Sequence, residues 1–364
     1  MGFNLTPEVE REGIALRPGF LFVRKYRKEH GMSGKIKFTL ALVLAIGATS
    51  NSLWALILTN PSCQVETYAT YSPGEWNTPW GMTFDSTGNL YVTHKNAGEI
   101  YRIDPAKNAT QFVTGLDSPV SITWGGGTPY GDNLYVADVN DDTWGHIMKI
   151  TPQGQTSIFC SPNNQPVSVE IDRVGNYGGY MYSGTSGLDH IDSITSTGSI
   201  QTFTDFPYNM GGGGPEGIAF DPGDRYGGMM YVANQSSTSS WAGLYTLDTD
   251  GNPTHFAPDL ITTHDLVFDP MGMFGHDLYI LGMDSDDTFC SLYQADPAGQ
   301  TSLFASSSWH VRDAIFGADG ALYISEFDTF NHEVIISKVT PEPTALTLLA
   351  LGAFGLIRRR RTTC

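Results

Sequence analysis

The stretch Pro79-Trp-Gly-Met-Thr-Phe-Asp-Ser-Thr-Gly-Asn-Leu-Tyr-Val92 holds two short apolar segments separated by a polar turn. Two more apolar segments follow, within 98–105 and 110–113. β-Branched and aromatic residues favour strands, whereas Asp-Ser-Thr-Gly favours a tight turn. The region therefore predicts four short antiparallel strands joined by turns.

This unit recurs along the chain. Copies begin at Pro79, Pro119, Pro166, Pro215, Thr263 and Val311, at spacings of 40 to 49 residues. The second strand repeats as Leu-Tyr-Val or Leu-Tyr-Ile at 90, 134, 278 and 322. Repeats of this length are typical of β-propeller blades. The sequence therefore predicts an all-β, six-bladed propeller as one body, residues 63–340.

The sixth copy lacks an outer strand, since it ends at 335–339. The segment 65–69, before the first copy, matches the outer strands at 156–159 and 301–304. We therefore expect this N-terminal segment to complete blade six and to close the ring, which removes an open sheet edge. The repeat resembles those of NHL and SMP-30-like six-bladed propellers.

The N-terminal region reads as an export signal. Lys35 and Lys37 precede the apolar run 38–47, small residues follow at 48–50, and Ala55 is a further candidate small residue. This order predicts a signal peptide with a signal helix at 32–55, and an over-extended start at 1–31. The alternative is an uncleaved anchor that continues to Leu58.

The C-terminal region contains Pro341, Glu342 and Pro343, then the apolar stretch 344–357, then Arg358, Arg359, Arg360 and Arg361. This order resembles the PEP-CTERM sorting signal. The resemblance implies a sorting tail at 341–364 with a short transmembrane helix, and an exosortase-type enzyme as partner. It also implies an exported protein in the cell envelope, either membrane-anchored or extracellular after sorting. A permanent anchor is the alternative reading.

The charge of the chain limits the classes of ligand that the body is expected to bind. The chain carries a net charge of −18, and eight of its 20 basic residues lie in 1–55. Four more are the terminal arginines, which leaves eight basic against 34 acidic residues in the body. Such an excess of acid disfavours nucleic acid and anionic lipid. Cations, sugars and basic proteins remain.

The four cysteines show no metal-binding or redox spacing. Free or buried thiols are predicted, and Cys63 with Cys290 is the pairing to test because export permits disulfides.

One face of the ring is expected to gather polar side chains around the central channel, because first strands start there and second strands end there. First-strand starts supply Trp80, Glu216, His264, Asp265, Arg312 and Asp313. Second-strand ends supply His94, Asp138, Asn234, Asp284 and Glu326, and nearby loops add Asp141, Asp142, Asp286, Asp287 and Asp328.

Converging oxygens would suit Ca²⁺, which takes six to eight oxygen ligands. Resemblance to gluconolactonase and paraoxonase propellers points to Glu216, Asn234, Asp138 and Asp313 as metal ligands. The alternative is that these acids are simply solvated. The segment 248–252 looks like part of a calcium loop, but turn formation explains it better.

His264 is the candidate general base, since similar rings in streptogramin lyases and lactonases use a histidine or an acid there. His94 and His310 lie at comparable positions. Tryptophans near inter-strand loops could stack on sugars or pack between blades. They are Trp76, Trp80, Trp144, Trp241 and Trp309.

The sequence contains no hydrolase nucleophile motif, metalloprotease motif or phosphate loop. We therefore expect a non-enzymatic module that binds a polysaccharide, a protein or a cation. The alternatives are a Ca²⁺-dependent hydrolase, lactonase or lyase, and a structural spacer.

Overall fold

The computed structural model describes residues 56–75, 77–140, 144–162, 164–186, 190–206, 213–223, 225–236, 243–257, 260, 263–283 and 290–342. These residues form an all-β, six-bladed propeller. The predicted over-extended start at 1–31, the predicted signal peptide at 32–55 and the part of the predicted sorting tail beyond Glu342 lie outside the described residues. No helix in the described ranges is both long and apolar enough to cross a membrane.

Each blade is an antiparallel meander that runs from the channel outward. Blade one contains β3 (Pro79–Phe84), β4 (Leu90–His94), β5 (Glu99–Ile103) and β6 (Ala109–Val113). Blade two contains β7 (Pro119–Trp124), β8 (Leu134–Asp138), β9 (His146–Ile150) and β10 (Thr156–Cys160). In blade three the first strand is split into β11 (Gln165–Pro166) and β12 (Glu170–Ile171), followed by β13 (Met181–Ser186), β14 (His190–Ile194) and β15 (Ile200–Asp205).

The remaining blades follow the same order. Blade four contains β16 (Gly213–Phe220), β17 (Met230–Ser236), β18 (Gly243–Leu247) and β19 (Pro253–Ala257). Blade five contains β20 (Thr263–Phe268), β21 (Leu278–Met283), β22 (Cys290–Ala295) and β23 (Thr301–Ser307). Blade six contains β24 (His310–Phe316), β25 (Leu322–Asp328) and β26 (Glu333–Pro341). The six first strands begin at or within two residues of the predicted starts.

The N-terminal strand closes the ring, as predicted. Strand β2 (Cys63–Tyr71) pairs antiparallel with β26, and Val65 lies opposite Val339. A further strand was not foreseen: β1 (Leu56–Leu58) pairs with β23 as a fifth strand of blade five. Among the described side chains, Cys63 and Cys160 are free thiols, so Cys63 does not form the disulfide that the sequence left open.

The core lies between neighbouring blades. Every residue of β4 and β8 is buried. Tyr91 and Ile100 of blade one pack with Ile122 and Leu134 of blade two. Strands covered on both faces carry continuous apolar runs, and each fully buried side chain contributes about 1.5–3 kcal/mol. Close packing between blades also requires glycine at position 184, since a Cβ atom there would overlap the carbonyl oxygen of Pro215 in blade four.

A tyrosine in the turn after the first strand links each of three blades to the next. The Tyr177 hydroxyl accepts the N–H of Met230 at 2.8 Å and donates to the carbonyl of Leu247. Tyr130 and Tyr226 make the equivalent contacts from blades two and four. Blade five has Phe274 at this position.

Candidate functional site

The first strands surround a channel made of two adjoining cavities. The mouth cavity, on the side where the first strands begin, has a volume of about 240 Å³. The lower cavity has a volume of about 270 Å³ and a mainly apolar lining that includes Ile122, Ile218 and Leu266. Ser121, Glu216, Asp265 and Asp313 line both cavities and so form the waist between them.

The mouth cavity gathers all six side chains predicted at the first-strand starts. They are Trp80, Glu216, His264, Asp265, Arg312 and Asp313. Polar residues that the sequence argument missed complete the lining: Lys95, Ser121, Gln165, Ser186 and Gln235. The cavity therefore presents cationic, anionic, amide, hydroxyl and imidazole groups together.

The second predicted set does not line either cavity. His94, Asp138, Asn234 and Glu326 are buried within the sheets. Side chains alternate between the two faces of a strand, so a shift of one residue reverses the face. The mouth is lined instead by the next residue along, as Lys95, Val139 and Gln235 show. Asp141, Asp142, Asp284, Asp286 and Asp287 lie outside the described residues.

Buried acids of this second set stabilise backbone and hydroxyl groups. Asp138 accepts the N–H groups of Asp117 at 3.1 Å and Ser118 at 2.7 Å. Glu326 accepts the hydroxyls of Ser307 at 2.8 Å and Ser337 at 2.5 Å. Burial raises the pKa of both carboxyls. Asp328 similarly accepts backbone N–H groups in the turn after β25.

Three more buried acids shape the turns that carry the linking aromatic residues. Asp172 accepts the N–H groups of Tyr177 at 2.7 Å and Gly179 at 3.0 Å. Asp221 and Asp269 do the same in blades four and five. Asp248 holds its own turn through Asn252, as turn formation predicts. Several acidic side chains of the body thus accept hydrogen bonds from backbone N–H groups in turns.

His264 is held by a carboxylate inside the mouth cavity. Its Nδ1–H donates to Oε2 of Glu216, and the amide of Gln235 lies 3.3 Å from its Nε2. A carboxylate can only accept, so this contact places a proton on Nδ1, and in the neutral imidazole Nε2 is then the acceptor. A carboxylate that orients an imidazole in this way is a common feature of general bases. The sequence predicted both residues but not their pairing.

Asp265 and Asp313 form a hydrogen-bonded carboxyl pair at the waist. Burial raises the pKa of both, and the neighbouring Asp265 carboxyl raises that of Asp313 further. The backbone N–H of Met82 donates to Asp313. Two close carboxyls in a buried site cannot both ionise readily, so the pair holds a proton to a higher pH than a solvent-exposed aspartate does.

The four predicted calcium ligands do not all reach the channel cavities. Within the described ranges, no group of three or more His, Cys, Asp or Glu side chains is arranged to hold a metal ion. Glu216 and Asp313 reach the mouth cavity, whereas Asp138 and Asn234 line neither cavity. Calcium in the channel therefore stays a prediction.

Aromatic residues also lie on loops that join second and third strands, on the mouth side of the ring. Trp144 is 59% exposed and Phe330 is 89% exposed. Trp309 is half-buried, and Trp76 and Trp241 lie outside the described residues. His310 is half-buried and does not line the mouth cavity. We call Trp144 and Phe330 the rim aromatics.

Comparison with known proteins explains the C-terminal end of the chain. Residues 339–361 match the PEP-CTERM protein-sorting motif. The chain carries a PEP-CTERM sorting motif. This PEP-CTERM motif implies an exported, envelope-associated protein and processing by an exosortase. No curated protein sequence matches the chain.

Solved structures resemble the propeller body. A gluconolactonase from Xanthomonas campestris is 13% identical with a TM-score of 0.59, over 79% of this chain and 95% of that one. The PQQ-bound aldose sugar dehydrogenase from Streptomyces coelicolor is 15% identical with a TM-score of 0.54, over 77% and 99%. Virginiamycin B lyase from Staphylococcus aureus is 14% identical with a TM-score of 0.50, over 76% and 98%. At these identities the likeness shows the fold alone.

Proposed function

We propose that this PEP-CTERM propeller binds a sugar unit of an envelope or matrix polysaccharide in its mouth cavity. The observation that carries the proposal is the convergence of Glu216, Gln235, His264 and other polar groups in one cavity of about 240 Å³. Drug-sized sites usually measure about 300–1,000 Å³, so this cavity suits a single sugar ring. Its carboxylate, amide and hydroxyl groups match the hydrogen-bonding needs of sugar hydroxyls.

The rim aromatics support a longer chain outside the cavity. Trp144 and Phe330 expose their rings on the mouth side. Exposed aromatic rings next to polar cavities provide flat apolar surfaces on which sugar rings stack. One ring of a polysaccharide would enter the mouth, and its neighbours would contact the rim.

The position at which the predicted sorting tail leaves the propeller is compatible with a polysaccharide bound at the mouth. Strand β26 begins at Glu333 on the mouth side and ends at Pro341 on the opposite side. The predicted membrane helix at 344–357 follows directly. Pro341, where the predicted sorting tail begins, therefore lies on the face opposite the mouth.

The test is binding of the full-length protein to a panel of envelope and matrix polysaccharides. The double variant Trp144→Ala/Phe330→Ala should bind the selected polysaccharide at least tenfold more weakly. Met271→Ala, an exposed apolar residue on the opposite face, is the matched control and should bind like the parent. The proposal fails if no polysaccharide binds, or if the control loses binding equally.

A second candidate, an acid–base enzyme such as a hydrolase, lactonase or lyase, is supported by the Glu216–His264 hydrogen bond. In this role Nε2 of His264 would take a proton from the bound ligand. His264→Gln should then abolish product formation while the polysaccharide still binds. His255→Gln, on an exposed outer strand, should have no effect on either. Product release that survives in His264→Gln rules this role out, and metal analysis tests the predicted calcium independently.

A further inference from the structure

Two cations lie against one indole ring at the channel mouth. The Lys95 ammonium is 4.6 Å and the Arg312 guanidinium 4.7 Å from the centre of the Trp80 ring. Trp80 and Lys95 come from blade one and Arg312 comes from blade six, and all three line the mouth cavity. Cation–π contact fixes both charges at the junction where the ring closes.

These two cations lack carboxylate partners among the described residues. In that part of the chain no salt bridge involves Lys95 or Arg312, whereas Arg225 and Lys338 lie 2.9 Å and 2.8 Å from aspartates. The Nε of Arg312 is buried and has no hydrogen-bond partner in the described ranges. Buried donors are normally paired, whereas this guanidinium nitrogen is not committed to a protein acceptor among the described residues.

The acids in the same cavity are already engaged. Glu216 accepts a hydrogen bond from His264, and Asp265 and Asp313 hydrogen-bond to each other. Among the described residues, none of these three carboxyls forms a salt bridge with Lys95 or Arg312. In a body with 34 acidic and eight basic residues, placing two cations together in the mouth creates a local site for an anion.

From this geometry we infer that the sugar bound in the mouth carries a carboxylate, which Lys95 and Arg312 hold while Trp80 positions both. The inference rests on the proposed function and names its ligand class, a uronate-containing polysaccharide. A guanidinium matches a carboxylate with two parallel hydrogen bonds, and an ammonium adds a compact charge. Gln165, Ser186 and Gln235 remain for the hydroxyls of the same ring.

The test uses uronate polysaccharides and their carboxyl-reduced counterparts, which share the backbone and lack the charge. The full-length protein should bind an acidic form at least tenfold more tightly than its reduced form, and salt should weaken only the acidic interaction. The double variant Lys95→Gln/Arg312→Gln should lose this preference while it still binds the reduced form. Arg312→Lys should keep part of the preference. Lys149→Gln, a basic residue of β9 outside the mouth, controls for net charge.

The outcomes separate the two proposals. Equal binding of acidic and reduced forms by the parent would overturn the carboxylate site and leave saccharide binding intact. Absence of binding to either form would overturn both. Stronger binding of sulfated glycans than of uronates would also overturn the carboxylate assignment. Melting curves of the variants check that each one is folded.

Discussion

The hydroxyl of Tyr71 lies 2.9 Å from Nε2 of His94, and this contact joins the closing strand of the ring to blade one. Tyr71 is the last residue of β2 and His94 is the last residue of β4. The His94 Nδ1 lies 2.9 Å from the carbonyl of Asn77 and donates its proton there. Nε2 is therefore the acceptor, and the Tyr71 O–H donates to it. This hydrogen bond, which we call the latch, therefore links blade six to blade one.

Removing this latch should weaken the fold. Tyr71→Phe leaves the buried Nε2 of His94 without a donor, and an unpaired buried polar atom costs about 1–3 kcal/mol. Tyr68→Phe removes a hydroxyl from the same strand and should change stability by less than about 0.5 kcal/mol. Denaturant unfolding of both variants measures the difference. Equal stability of the two would show that the latch contributes nothing.

His94 should make the protein sensitive to acid. Burial lowers the pKa of His94 from 6.5 to about 4. Between these values the unfolded chain binds a proton that the folded chain refuses, so this contribution is full above pH 6.5 and is lost as the pH falls towards 4. A shift of this size corresponds to about 3 kcal/mol. His94→Asn should flatten the dependence in this window, and NMR should show a neutral imidazole at pH 5. A protonated ring at pH 5 would contradict the assignment.

The carboxyl pair Asp265 and Asp313 should give stability a pH dependence opposite in sign to that of His94. The pKa of Asp313 is raised above its ordinary value of 3.8 by burial and by Asp265. The folded protein then keeps a proton that the unfolded chain releases, so this stabilisation is present at low pH and is lost as the pH rises above about 4. Glu170 and His264 interact electrostatically with Asp265, and both are present in every variant compared.

Asp313→Asn should remove most of the loss of stability that occurs as the pH rises above about 4. The introduced amide can donate a hydrogen bond to Asp265, and its oxygen can still accept one from the N–H of Met82. The free energy of unfolding, measured from pH 4 to pH 9, gives the comparison. Glu75→Gln changes an exposed carboxylate and serves as control. An unchanged pH profile in Asp313→Asn would show that the pair holds no extra proton.

The tyrosine links between blades should each contribute to stability. Tyr177→Phe leaves the N–H of Met230 and the carbonyl of Leu247 unpaired, at a cost of about 1–3 kcal/mol. Tyr180→Phe makes the same chemical change at an exposed position three residues later and should be nearly neutral. Thermal unfolding distinguishes the two. If Tyr177→Phe is also neutral, the hydroxyl does not couple the blades.

The fold was predictable because the repeat is marked by residues with local consequences. Strand segments and turns recur every 40 to 49 residues, and the missing outer strand of blade six matched the spare segment at 65–69. The link residues could also have been found, since Asp172 and Tyr177 have the same spacing as Asp221 and Tyr226 and as Asp269 and Phe274.

Half of the site was harder to predict for a physical reason. Second strands such as β4 are buried on both faces, so their sequence shows no alternation of apolar and polar residues. Without that alternation, the sequence does not indicate which residue at the end of the strand lines the channel. The prediction chose His94 and Asn234, whereas the mouth is lined by Lys95 and Gln235. Pairings such as Glu216 with His264 join residues 48 positions apart in neighbouring blades. Only the folded ring brings them together.

The most direct test of the mouth cavity as a ligand site is a crystal structure of the full-length protein with the oligosaccharide that binds best. We expect one sugar ring in the mouth cavity, with hydroxyls on Gln235 and Glu216 and its carboxylate on Lys95 and Arg312. A sugar seated only on the outer strands or in the lower cavity would contradict this account.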